Sequence, residues 1–506
     1  MKYKKLAWLV AGAMSVSMLG ACGGGSSGGG SSDDREAGDG LEISLENVRK
    51  VLNTNAQIAY ATYSDSVSTA KDLQEALEDF RADPTEATLL AAKKAWLTAR
   101  EPYGQTEVYR FRDSPIDDED GPEGDINAWP LGEALIDDVI NVAGTDFTDA
   151  QTGVDSSAAI IDDGDVDYEG GENIINSTVE ISEALISKTA TEAADERDVI
   201  SGYHAIEFLL WGQDLKTADS LTTDEEKVTD GLNLEDRDEA VKSVDTAGDL
   251  PTGGQRPITD FQPGYVSSEE YDDTVASQRR HKYLEVAVAK LIADLESVRD
   301  EWATDGDYRA TFTTVNSISE GREKLTEILY GMGTLAQGEL AGERMQIAFT
   351  ENSQEDEHSC FSDNTHRDIW LNAEGILNSY YGDYAGYDSD QNGEDDTGSS
   401  VTGYGFDDLL RDSGLTETAD EIEDALDNTE DGYVAIDASA RSGSPVDVLI
   451  QGPLDNTNPM AQAILALNAL SSLIADLAGD LEIDDDVVDD DGTECDTSNP
   501  TNSCGG

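Results

Sequence analysis

A histidine and a glutamate stand three residues apart in an otherwise apolar stretch, residues 202–214, with the sequence GYHAIEFLLWGQD. At the spacing of an α-helix, about 100° per residue, His204 and Glu207 share one face, and the opposite face is apolar as well. Such a helix is predicted to be buried, where a carboxylate is costly unless it is paired or bound to a metal. Side chains over one helical turn can reach one cation. The spacing therefore predicts two ligands of a metal site.

The same pair also has a purely structural interpretation. A buried histidine and glutamate could bond to each other or to a neighbouring arginine, and His-x-x-Glu occurs by chance in many helices. The chain has 4 histidines, His204, His281, His358 and His366. Most of them lie in segments that mix polar and aromatic residues, as functional sites do. On the residues alone both interpretations stay open.

The amino terminus indicates the compartment. Three lysines precede an apolar stretch, Leu6 to Leu19, that is too short to span a bilayer and that ends in the lipobox LGAC. This pattern predicts a signal peptide over residues 1–22, with Cys22 as the lipidated first residue after cleavage. Residues 23–43 begin with glycines and serines and are predicted to be a tether. Because glycine rather than aspartate follows Cys22, we expect the outer membrane of a Gram-negative cell.

The net charge of −76, from 108 acidic and 32 basic side chains, excludes some partners. Such a body repels nucleic acid and anionic membranes, so the lipid anchor is expected to hold it at the membrane. Adaptation to a salty environment is one explanation of the acidity, and local cation capture is the other. Residues 388–393, DSDQNG, open like a calcium loop, but Ser399 stands where the closing glutamate should be. A solvated acidic loop is the default expectation there.

Helical periodicity recurs through the body and convincing alternating strands are scarce, which predicts an all-α fold. The segments predicted to be helical are residues 44–80, 85–110, 130–141, 172–188, 192–214, 279–302, 317–349, 366–381, 416–429 and 459–481. We predict two consecutive bundles, residues 44–215 and 278–482, joined by a polar acidic connection, residues 216–277, and followed by an acidic tail, residues 483–506. In that tail Cys495 and Cys504 could form a local disulfide, which would leave Cys360 unpaired.

Several separated motifs together resemble the imelysin family, and within it the iron-regulated protein A branch. The stretch from Gly202 is similar to the family's Gly-x-His-x-x-Glu signature, and four further segments, residues 107–113, 127–130, 342–345 and 357–365, are similar to that branch in the same order. The resemblance spans roughly residues 44–480. It implies an all-helical body of two bundles with the site between them.

The resemblance also implies site residues. The metal ligands would be His204, Glu207 and, as a third, Glu107. Arg110, Arg112 and Arg344 would hold anionic groups of a ligand or neutralise buried Glu207 and Glu343. Glu357, His358 and Asp363 would form a second candidate set from the other half of the chain, and Asp113 and Glu343 are further candidate ligand-binding residues.

The function implied is that of an iron-responsive, metal-binding lipoprotein of the cell envelope, acting in iron uptake or homeostasis with iron-uptake or other envelope proteins. A divalent or trivalent ion is expected, iron being favoured and zinc the alternative. A metallopeptidase is the alternative function, although Glu207 cannot easily be both ligand and general base. A non-catalytic docking module for an envelope partner is a third.

Overall fold

The computed structural model describes the helical body and part of the tail. The described residues are 43–112, 114–118, 121–137, 173–192, 199–213, 254, 256–262, 275–353, 356–391, 393, 395–483, 487–488 and 495–504. The predictions for the signal peptide, for Cys22, for Asp113 and for most of the tether and connection lie outside these residues. Residues 42–506 form one compact unit.

The described body is helical, as predicted. Its α-helices are α1 Leu45–Ala82, α2 Glu86–Gly104, α3 Glu123–Ile126, α4 Glu133–Ile136, α5 Glu183–Glu192, α6 Gly202–Trp211, α7 Ala276–Glu301, α8 Asp307–Thr313, α9 Ile318–Thr334, α10 Ile347–Glu351, α11 Thr365–Tyr381, α12 Phe406–Asp412, α13 Thr416–Arg441, α14 Val446–Leu449 and α15 Pro459–Asp480. Short 3-10 turns cover Glu107–Tyr109, Ile258–Asp260 and Cys360–Ser362, and a π-helix covers Leu335–Gln346. Two short antiparallel strands, β1 Asp383–Tyr384 and β2 Val401–Thr402, pair Asp383 with Thr402 and Tyr384 with Val401.

Local signals set the ends of the first two helices. The Ser44 hydroxyl accepts from the Asn47 amide and caps α1, and Thr85 and Thr88 form a capping box at the start of α2. The helix predicted over 85–110 ends earlier, at Gly104, and a 3-10 turn follows it. The helix predicted over 172–188 begins too early, because residues 173–179 form turns and extended chain and α5 begins at Glu183.

The long helix α1 organises the packing. It contacts α2 from the first predicted bundle and also α7 and α9 from the second. Helix α13 packs on α15, and α15 packs on the π-helix. Helix packing therefore crosses the border between the predicted bundles, and the division of the chain into two bundles stays a prediction.

Helix α15 is the one helix of the described ranges that is long and apolar enough to cross a membrane. Half of its most apolar 18-residue stretch is buried inside the body, and the helix packs against α13 and the π-helix. A core helix of this kind passes the same test of length and hydropathy. Beyond α15 the predicted local disulfide joins Cys495 and Cys504, and Cys360 is buried outside it.

Candidate metal centre

Helix α6 carries the His-x-x-Glu motif through the centre of the body. All ten of its residues are buried, which confirms the prediction of a helix that is covered on both faces. Gly202 begins the helix with a φ of +76°, and a Cβ there would lie 2.2 Å from the Ile126 carbonyl oxygen. Both the conformation and the close approach require glycine. Gly202 therefore fixes the start of α6 and, with it, the position of His204 in the core.

The two motif side chains contact each other directly. His204 Nδ1 lies 3.0 Å from Glu207 Oε2, and both side chains are fully buried. The other carboxylate oxygen, Oε1, accepts hydrogen bonds from the backbone amide of Ser362 at 2.9 Å and from its hydroxyl at 2.6 Å. Both Glu207 oxygens therefore have protein partners.

A second histidine repeats this arrangement. His358 Nδ1 lies 2.8 Å from Asp368 Oδ2, and Asp368 also accepts from the Ser359 hydroxyl. The two imidazole rings meet edge to face, with centroids 4.6 Å apart. Within the described part of the chain, Nε2 of His204 and Nε2 of His358 are buried without a hydrogen-bond partner. Two orphaned imidazole nitrogens therefore lie in one buried region.

Burial holds both imidazoles in the neutral form. The pKa of His204 is well below its ordinary value because of desolvation, and His358 and Arg100 lower it further. Desolvation also lowers the pKa of His358, to about 4, and the positive charge of Arg344 lowers it further. Burial raises the pKa of Glu207 to about 8, although the Ser362 hydrogen bonds oppose that rise. The Nε2 lone pair of a neutral imidazole is free for a metal when Nδ1 carries the ring proton, which for His204 requires that Glu207 be ionised.

Glu107, the predicted third ligand, lies in an arginine cluster. Its Oε2 accepts from Arg110 at 3.0 Å and from Arg344 at 2.9 Å, and its Oε1 accepts from Asn127 at 3.2 Å. Burial alone would raise the pKa of Glu107, but Arg344 and Arg110 outweigh it and hold the pKa below its ordinary value. Glu107 is therefore an ionised counterion of two arginines.

Glu339 is the second acid of this cluster, and no motif in the sequence indicates it. Its Oε1 accepts from Arg344 Nε at 3.0 Å and from Arg110 Nη1 at 3.2 Å. Burial opposes ionisation, yet the two arginines lower the pKa of Glu339 to about 2. Glu339 and Arg344 are five residues apart. Side chains at this spacing lie on the same face of a π-helix but on different faces of an α-helix. The contact between Glu339 and Arg344 therefore depends on the π-helical geometry of this segment.

Hydrogen bonds connect the arginine cluster to the histidines. Asn127 bonds Glu107 through its amide nitrogen and accepts from Arg100 through its oxygen. Arg100 in turn donates to Asp368 Oδ1 at 3.0 Å, and Asp368 holds His358. Arg100 and Asp368 are 268 residues apart in the chain, so no local pattern indicated their contact.

The remaining predicted residues are dispersed around this region. Arg112 bonds Asn55 and packs among aromatic rings, and Glu343 is half-buried on the π-helix. Glu357 and Asp363 are both buried; Glu357 directly precedes His358, and Asp363 directly follows the 3-10 turn Cys360–Ser362. No three His, Cys, Asp or Glu side chains among the described residues are arranged to hold a metal ion. The ligand roles of His204, Glu207 and Glu107 therefore stay predictions.

The fold and the site define a class of protein, an all-helical body with a His-x-x-Glu helix buried at its centre. The sequence profile of the Imelysin family, a peptidase M75 family, matches residues 59–477. The chain therefore belongs to the Imelysin family, which confirms the resemblance inferred from the motifs.

Two proteins similar to this chain are both described as iron-regulated protein A. The one from Synechococcus elongatus is 36% identical over 75 residues, which cover 15% of this chain and 20% of that protein. The chain thus matches about a fifth of that relative's length. A crystal structure described as an iron-regulated protein A precursor, from Parabacteroides distasonis, has a TM-score of 0.50 and 14% identity, with coverage of 86% of this chain and 97% of that chain. This second likeness concerns the fold alone.

Proposed function

We propose that this chain is a metal-binding lipoprotein of the bacterial cell envelope that acts in iron uptake or homeostasis. Membership of the Imelysin family and similarity to proteins described as iron-regulated support the connection with iron. The proposal rests on the buried imidazoles of His204 and His358. In each ring Nδ1 lies at hydrogen-bond distance from a carboxylate, and Nε2 has no hydrogen-bond partner among the residues that the structure describes. Iron is the favoured ion and zinc the alternative, because imidazole nitrogen suits both.

In this proposal His204 and His358 bind the metal through Nε2. Glu207 and Asp368 accept the Nδ1 protons, which fixes the tautomer and orientation of each ring, as carboxylates do behind many metal-bound histidines. Glu207 then orients the His204 ring through Nδ1 and does not bind the metal itself, because both of its oxygens already have hydrogen-bond partners. Water or the oxygen atoms of an iron chelate would complete the coordination.

Metal titration of the tag-free chain tests this proposal. At a concentration about a hundredfold above the dissociation constant, ferrous iron or zinc should stabilise the wild type by roughly 2.7 kcal/mol. His204→Ala and His358→Ala should each lose most of that increment. The measurements belong at high ionic strength, which screens diffuse attraction to the acidic surface.

The matched control is His281→Ala, which removes another buried imidazole, one that packs between Phe80 and Phe261. It should cost stability but keep the metal response. An equal metal response in wild type and in the His204 and His358 variants would refute the proposed ligands.

The same preparation separates a metal binder from a metallopeptidase. With both oxygens of Glu207 bonded, this carboxylate is poorly placed to take a proton from a metal-bound water. We therefore expect no cleavage of unfolded polypeptides by the metal-loaded chain. Cleavage that a chelator stops and that Glu207→Gln abolishes would favour the peptidase.

Cys22→Ser tests the envelope location. Without the cysteine thiol no lipid can be attached, so the variant should leave the membrane fraction or accumulate as an unprocessed precursor. Fractionation and mass spectrometry of the amino terminus measure both outcomes. Wild-type chain found in the cytoplasm with Met1 intact would contradict the proposed anchor.

A further inference from the structure

The end of the acidic tail packs against the helical body. Residues 495–504, here called the disulfide loop, run from one end of the Cys495–Cys504 bond to the other. Thr497 and Pro500 of this loop are buried. The Thr497 hydroxyl accepts from Asn468 Nδ2 of α15 at 2.9 Å. The disulfide loop is therefore part of the packed body.

Gln346, the last residue of the π-helix, is bound by the disulfide loop. Its side chain is buried, and its Nε2 donates to the backbone carbonyl oxygens of Asp496 at 3.2 Å, Asn499 at 3.4 Å and Asn502 at 3.1 Å. Because all three neighbours are acceptors, the NH₂ group of the amide must face them. The loop therefore surrounds one side-chain nitrogen of the π-helix with three oxygens.

A second contact of the loop reaches the same turn of the π-helix. Cys495 Sγ lies 3.7 Å from the carbonyl oxygen of Gly342. That oxygen also accepts from the amide of Ile347, five residues further along, which is the hydrogen bond that defines a π-helix. The disulfide loop therefore contacts the last turn of the π-helix both at its backbone and at Gln346.

The π-helix depends on contacts of this kind. Such helices mostly occur as single turns within α-helices, whereas this one covers 12 residues. Helix α15 packs against it. The contact between Glu339 and Arg344, at 3.0 Å, exists only in the π-helical geometry. Contacts that hold the last turn of the π-helix therefore also hold this ion pair.

The shape of the disulfide loop depends on its covalent bond. Residues 495–504 form turns and contain no helix or strand. The backbone bonds inside the loop join the Asn499 amide to the Asp496 carbonyl and the Asn502 amide to the Asn499 carbonyl, both at 2.9 Å. Without the disulfide such a segment has many more conformations available to it. The positions of the three carbonyl oxygens around Gln346 therefore rest on the bond between Cys495 and Cys504.

We propose that the disulfide loop is a redox-sensitive clasp on the π-helix. In the oxidised chain it holds the last turn through Gln346. A dithiol would reduce the bond with two electrons and two protons, which gives two cysteine thiols and the disulfide of the reductant. Cys495 and Cys504 are both partly exposed, so a reductant reaches them. Once reduced, the loop would leave Gln346 and the π-helix would loosen.

The competing explanation is a disulfide that stabilises the whole chain. A cross-link restricts the unfolded chain over the loop that it closes. Cys495 and Cys504 are only 9 residues apart in the sequence, so the restriction is confined to the end of the chain. The contacts with Gly342 and Gln346 are what connect this short loop to the body. A local effect on the π-helix is therefore expected.

Hydrogen exchange of the full chain, measured by mass spectrometry, tests the proposal. After treatment with dithiothreitol, backbone amides of residues 335–346 should exchange about tenfold or more faster than in the oxidised chain. Those of α1 should be unchanged. The double variant Cys495→Ser, Cys504→Ser should show the same increase without reductant. Unchanged exchange of the π-helix after reduction would overturn the proposal, and so would an equal increase in the π-helix and α1.

Gln346→Met separates the clasp from the disulfide itself. Methionine has a similar length but no NH₂ group, so this variant should show fast exchange of residues 335–346 even with the disulfide intact. The matched control is Gln462→Met, at an exposed position of α15, which should keep the exchange of the oxidised wild type. An oxidised Gln346→Met chain with the same exchange as the control would refute the role of Gln346.

Discussion

Arg367→Met should lower the free energy of unfolding by about 3–5 kcal/mol, the largest effect expected of a single substitution in this body. Arg367 is 1% exposed and forms a two-point ion pair with Glu101, which is fully buried. Even with Arg367 in place, burial raises the pKa of Glu101 to about 6. Removal of the arginine would leave that carboxylate in the core without a cation. Urea unfolding at pH 7 measures the loss.

Two comparisons make this prediction specific. Arg299→Met breaks a surface ion pair with Asp300 and should cost no more than about 1 kcal/mol. The double variant Arg367→Met, Glu101→Gln should recover part of the loss, because the uncompensated charge is gone. A cost for Arg367→Met as small as that of Arg299→Met would show that water reaches Glu101 freely.

The metal-free chain should lose stability as the pH rises towards about 8. Burial raises the pKa of Glu207 from 4.5 to about 8, so between these values the folded chain keeps a proton that the unfolded chain has released. Its contribution is therefore fully present below about pH 4.5 and is lost as the pH passes the folded pKa. The effect should be of the order of a few kcal/mol. Urea unfolding from pH 5 to 9, with a chelator present, measures it.

Glu207→Gln isolates this effect from that of other buried acids, because glutamine does not titrate. Its stability should change less between pH 5 and 9 than that of the wild type. Metal should act in the opposite direction. An ion on His204 Nε2 places the proton on Nδ1 and favours ionised Glu207, so affinity should increase as the pH rises towards 8. Identical pH profiles of wild type and Glu207→Gln would disprove the role assigned to this carboxylate.

The sequence was sufficient to predict features that depend on local periodicity and on separated motifs. Helix α6, its burial and the His204–Glu207 pair follow from a spacing of three residues in an apolar stretch. The start of α2 at Glu86, after the Thr85 cap, agrees with the helix predicted from residue 85. Membership of the Imelysin family follows from several motifs in one order.

The features that were missed depend on tertiary contacts or on unusual helical geometry. Asp368 supports His358 from one side and binds Arg100 on the other, and no sequence pattern connects residues so far apart. Glu339 meets Arg344 only because the chain between them is a π-helix. The burial of Gln391 depends on packing against α2, whereas its acidic neighbours in the sequence favoured a solvated loop.

The depth of the histidine pair would govern the rate at which an ion enters and leaves. His204 is 0% and His358 is 2% exposed, so an ion bound as proposed would reach their nitrogens only when the surrounding helices open. Openings of packed cores are rare events, and their frequency reflects local stability. The residence time of a bound ion would then depend on how often the body opens and only weakly on ligand strength. Such a protein would behave as a slow-release store and not as a rapidly exchanging carrier.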